Sequence, residues 1–119
     1  MLRNLIASGI VATAATAAVA DTSPTRVETR EAFVQLVKDR ALTRLGITLT
    51  VLPDGKITGR AFGQPVRGAW NWRGNYFCRD LYYGETALGP NCQVVERRGG
   101  NLRFIADQGQ GMHADLRLR

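Results

Sequence analysis

The stretch "DQGQGMHA", residues 107–114, spaces Gly109, Gly111 and Ala114 as G-x-G-x-x-A. This is the pattern with which a glycine loop seats a pyrophosphate on a helix N-terminus. Such a loop needs a strand before it, a helix after it, and an acidic residue about 20 positions further on for the ribose. Five residues follow Ala114, and "DLRLR" alternates as a strand does. The glycines are therefore read as a turn ahead of a last strand. His113, the single histidine, is flanked by Asp107 and Asp115. A triad would also need a nucleophile, but Ser23 is the single serine beyond residue 20 and lies in a polar N-terminal stretch. The carboxylates Asp39, Asp54, Asp80, Glu85, Glu96, Asp107 and Asp115 are scattered, with no pair that a periodicity forces onto one face. No catalytic, cofactor-binding or metal site is assigned.

Two cysteines, Cys78 and Cys92, carry the remaining chemistry. They are too few for a metal cage and too far apart for a C-x-x-C redox pair. The N-terminus supplies the compartment in which they would pair. Arg3 gives a short basic region, Leu5 to Val19 form an uncharged run, and Ala18-Val19-Ala20 offers a small-residue cleavage site before Asp21. The run is too short and too rich in Ala and Thr for a bilayer span of about 20 residues. Residues 1–20 are thus expected to be a signal peptide, 21–27 a polar leader and 28–119 a single domain. The expected location is periplasmic or secreted, with no transmembrane span in the mature chain. In that setting Cys78 and Cys92 are expected to form a disulfide.

Removing residues 1–20 takes Arg3 away and lowers the net charge from +6 to +5. Behind a signal peptide such a balance points to anionic envelope groups, to a protein partner or to a solvated surface, and not to nucleic acid. The arginines are scattered and form no run typical of an interaction tail.

The elements that must position these residues follow from periodicity. "TREAFVQLVKDRA" sets Ala32, Phe33, Leu36 and Val37 on one helical stripe, with Thr29 as N-cap and Glu31 in the first turn. From Leu42 onward the period becomes two, with Ile47, Leu49 and Val51 alternating with threonines, and Asp54-Gly55 turns a hairpin. Trp70 and Trp72 share one face of the next strand, Tyr76 to Tyr82 form another, and "GETALGP" reads as a long loop closed by the cysteines. "RRGGN" joins a further pair of strands, and Ala114, Leu116 and Leu118 face inward from the last. The expected fold is α+β: an N-terminal helix followed by a six- or seven-stranded antiparallel meander or small open barrel, stapled by one disulfide.

Within "GAWNWRGNYFCRDLYYG" the aromatics have two readings. Trp70 and Trp72 suit the core of a small β domain, whereas aromatics beside arginines also suit ligand rings, sugars and anions. Tyr76, Arg79, Tyr82 and Tyr83 are left for the outside and form the candidate ligand surface.

The segments "GITLTVLPDGKITGRAFG", "GAWNWRGNYFCRDLYYGETALGPNCQ" and "LRFIADQGQGMHADLRLR" resemble a family of small exported alphaproteobacterial proteins. The motifs G-x-W-x-W, Y-F-C-R and N-C-Q carry the likeness over most of residues 31–119. Members bear the label "dihydrodipicolinate reductase", which implies a nicotinamide-dependent reductase as the alternative function. None of that enzyme's functional residues carries over, since there is no βαβ unit and the two lysines, Lys38 and Lys56, lie far from any glycine loop. The residues themselves favour a non-enzymatic exported binding or structural domain.

Overall fold

A computed structural model describes residues 8–14 and 23–119. The expected cleavage site, residues 18–20 before Asp21, lies outside the described residues. Among those described, the chain forms β1 (Thr25–Arg26), α1 (Arg30–Val37), β2 (Leu42–Arg44), β3 (Ile47–Val51), β4 (Lys56–Ala61) and β5 (Gln64–Arg73). It continues as β6 (Tyr76–Tyr83), β7 (Thr86–Arg98), β8 (Asn101–Ile105), a 3-10 turn (Asp107–Gly109) and β9 (His113–Leu118). From β2 to β9 each strand pairs antiparallel with the next, and β9 returns to β2 through Leu42↔Leu118 and Thr43↔Arg117. The sheet is thus an eight-stranded up-and-down barrel closed on itself, with β1 as a ninth strand beside β7.

This corrects the expected α+β class and its open meander. The protein is mostly β, with one short α-helix, and the sheet has no open edge between first and last barrel strands. Two short stretches account for the difference. Leu42–Arg44 is only three residues long, below the length at which alternation is legible, yet it supplies the closing partner of β9. "TALGPN" contains Gly89-Pro90 and reads as loop, yet it is the first half of β7. That half pairs with β6 on one side, Asp80 opposite Pro90, while pairing with β8 begins only at Val94. A proline without an N–H is tolerated where a strand has one partner.

Strand directions give the barrel two distinct ends. At one end lie the turns 52–55, 74–75 and 99–100, together with α1. Thr29 caps that helix by accepting from the Ala32 amide at 3.1 Å. Phe33 and Val37 are fully buried on its inner stripe. The Phe33 ring sits 4.9–5.3 Å from the rings of Phe77, Trp70 and Trp72, so the helix plugs this end. Trp72 Nε1 donates to Glu28 O at 3.3 Å, tying the segment before the helix to β5, and Trp70 Nε1 donates to Leu52 O at 2.8 Å, tying β5 to the 52–55 turn. At the other end are the turns 45–46, 62–63 and 84–85 and the loop 106–112.

Tight coiling is needed to close so small a barrel. Gly68 and Gly59 permit it on neighbouring strands: a Cβ on Gly68 would lie 2.1 Å from Asp80 O, and one on Gly59 2.1 Å from Thr48 O. Cys78 and Cys92 face each other across β6 and β7 and are joined as a disulfide. No helix among the described residues is long and apolar enough to cross a membrane.

Candidate functional site

The register of β5 with β6 decides which residues of the aromatic segment face inward. Trp70 and Trp72 point into the barrel, and their cross-strand partners are Arg79 and Phe77. Directly paired residues share a face of a sheet. Arg79 therefore enters the lumen, between Phe77 below and Leu81 above on its own strand. On β7, Gln93 opposes Phe77 and alternates with buried Val95, which turns it inward as well. On β2, Arg44 shares the inward face of Leu42 and reaches the rim.

These side chains line a cavity of about 440 Å³ that extends from the Phe77 and Phe104 rings to the end opposite the helix. Its wall is built of Leu49, Val51, Ile57, Leu81, Ala114 and Leu116, and its mouth carries Arg44, Met112 and His113. The volume falls within the ~300–1,000 Å³ of small-molecule sites, and an apolar wall with few polar groups is their usual make-up. Arg79 Nη1 donates to Gly89 O at 2.8 Å, which fixes the guanidinium. Burial lowers its pKa, the Asp80 carboxylate partly opposing this, and an arginine stays charged at neutral pH. Among the described residues the ion pairs are Arg98–Glu96 and Arg103–Asp115 on the outer face, and neither reaches the lumen. A cation thus faces an apolar chamber with no carboxylate in ion-pair contact.

The loop that forms part of the mouth is held in place. Asn91 Nδ2 donates to Asp107 Oδ1 at 2.7 Å, the Asp107 amide returns a bond to Asn91 Oδ1 at 3.1 Å, and Gln93 Nε2 donates to the same oxygen. Asp107 and Gln108 adopt φ of 54° and 56°, a left-handed region unusual for residues with side chains. The glycines of "DQGQGMHA" therefore form this compact turn, and β9 follows where a nucleotide fingerprint would need a helix. No group of three His, Cys, Asp or Glu that could hold a metal stands among the described residues.

The four expected surface residues are not brought together. Arg79 lines the cavity, whereas Tyr82 lies on the outer face beneath the Arg67 guanidinium, 4.7 Å from its ring centre. Tyr76 stands at the helix end with Arg26 over its ring, and Tyr83 is half-buried at the far end of β6. Arg44, Gln93, Met112 and His113 were not expected at a common site. The legible signal for two of them is a polar residue in phase with apolar neighbours: Leu42-x-Arg44 and Gln93-x-Val95.

The fold and site define a small closed up-and-down barrel, plugged at one end and open at the other. Comparison with protein-family models, with curated proteins and with solved structures finds no match for the chain.

Proposed function

We propose that this chain is an exported, non-enzymatic binding domain whose lumen receives the apolar part of a small amphipathic anion, with the anionic head held by Arg79. One observation carries the reading: an apolar chamber of about 440 Å³ contains a fixed, half-buried guanidinium with no carboxylate in ion-pair contact among the described residues. A half-buried guanidinium is partly stripped of water, the neighbouring Asp80 offsets this only in part, and a ligand carboxylate or sulfonate would offset the rest by a charge-assisted hydrogen bond. Arg44 and His113 at the mouth add donors on the path inward. The disulfide fits an oxidising compartment, and the basic balance of the whole chain favours anions over cations.

Calorimetric titration of the purified chain with decanoate, decanol, decylamine and NADH tests this. Decanoate is expected to bind more tightly than decanol and decylamine, and Arg79→Leu is expected to reduce decanoate affinity roughly tenfold while sparing decanol. Equal binding of decylamine, or a decanoate affinity unchanged in Arg79→Leu, overturns the assignment. Saturable micromolar binding of NADH in place of the amphiphiles would favour a reductase.

A further inference from the structure

We infer that the open end of the barrel is a docking surface for an anionic phospholipid bilayer, entered by the tips of its hairpins. Among the described residues of the domain, Leu45, Phe62, Leu88 and Met112 are the exposed large aliphatic, Phe or Met side chains, and all four lie toward this end. Leu45 is 93% exposed, Met112 87% and Phe62 69%. The plugged end shows none, its large apolar residues being drawn into the core around Phe33.

The geometry of the tips is specific. Leu45-Gly46 and Phe62-Gly63 are the turns of adjacent hairpins, joined by a bond from the Phe62 amide to Gly46 O at 2.8 Å. The Phe62 ring lies against Gly46 so closely that a Cβ there would be 2.6 Å from it. Phe62 itself holds φ of 49°, a left-handed conformation that glycine or asparagine adopts at less cost than an aromatic residue. An apolar ring is thus kept at a turn tip where backbone preference argues against it. Single apolar side chains projecting from neighbouring turns make a poor flat interface with a folded protein, but they fit insertion among acyl chains at the headgroup boundary.

The charges beside the tips point to the same occupant. Arg44 flanks Leu45, and Arg60, bonded to Gly63 O at 2.9 Å, flanks Phe62. The acids of this end are Glu85 and Asp107, of which Asp107 is engaged by Asn91, while Arg117 adds a further cation beside the Leu45 tip. Basic side chains beside inserted apolar ones are the arrangement that anionic headgroups attract. A barrel seated this way would have its mouth at the lipid surface, where amphipathic anions partition. The docking surface itself does not depend on the lumen being filled.

Vesicle flotation decides it, with the purified chain and vesicles of phosphatidylcholine alone or mixed with phosphatidylglycerol. Binding is expected to the mixed vesicles, to weaken with salt, and to fall roughly tenfold for each of Leu45→Ser and Phe62→Ser. Both substitutions are at exposed tips, and circular dichroism is to check that the fold is kept. Arg79→Leu is expected to float as the parent does, so loss of ligand binding and loss of docking are read separately. Absence of flotation, flotation unaffected by the two serines, or a self-association that the serines abolish would each overturn the inference, the last by identifying a second copy as the occupant.

Discussion

Arg79 and Arg103 show how placement alone separates two arginines of the same sheet. Arg103 lies on the outer face of β8 and makes a two-point contact with Asp115, Nε to Oδ1 at 2.8 Å and Nη2 to Oδ2 at 3.0 Å. Arg79 lies on the inner face of β6, where its one protein acceptor is a carbonyl. The first is a satisfied surface pair; the second is a half-buried cation with no carboxylate in ion-pair contact among the described residues. The hydrogen bond from Arg103 holds the Asp115 carboxyl below its ordinary pKa, with the charges of Arg103, His113 and Arg98 acting in the same direction. A depressed folded pKa stabilises the protein above the unfolded carboxyl value of about 3.9 and loses that contribution as pH falls through the folded value. Solvent reaches this pair, so its effect is small. Urea denaturation at pH 6 and at pH 2.5 is expected to show a steeper acid loss for the parent than for Asp115→Asn. Equal slopes would mean that the pair carries no pH-linked stability.

At the scale of elements, β7 organises the fold and was the least legible. Its first half pairs with β6, its second half with β8 and β1, and the disulfide fastens it to β6 at Cys92. Cutting that bond releases the half of β7 that contains Gly89 and Pro90 and has one strand partner. The Cys78→Ala, Cys92→Ala variant is expected to lose roughly 2–5 kcal/mol of stability, since a closed loop of about 15 residues is worth near 3 kcal/mol. Denaturant midpoints measure it, and a loss below about 1 kcal/mol would show that strand pairing alone holds β7. Alternation makes β3, β4, β5, β6, β8 and β9 readable, and Thr29 marks the helix start. Pairing across distance was not readable: nothing local says that Leu42 meets Leu118, because three residues cannot display a period. The site was half legible for the same reason. Arg79 stood out by its type, but its face followed from the Trp70↔Arg79 register, and Gln93 and Arg44 gained meaning only when the barrel closed around them.

For the whole molecule, closure creates an interior that must be filled at one end to leave room at the other. Layers of Phe33, Trp70, Phe77 and Phe104 occupy the plugged half, and the chamber begins where those rings stop. Phe33 comes from the helix, yet it is fully buried and contacts rings on β5 and β6, with the Phe104 ring of β8 edge-on at 6.4 Å. It therefore acts as the stopper of the barrel as well as the anchor of α1. Truncating it would open a cavity beneath the Phe77 and Phe104 rings and would remove the ring that meets Trp70 edge-on and Trp72 at a tilt. Phe33→Ala is expected to cost about 3–5 kcal/mol, a large share of the ~5–15 kcal/mol margin of a small domain. Near-ultraviolet circular dichroism should lose much of its tryptophan signal while the far-ultraviolet strand signal persists below the unfolding midpoint. If the variant keeps its stability to within about 1 kcal/mol and its tryptophan signal, the helix is an ornament on a barrel closed by its strands alone.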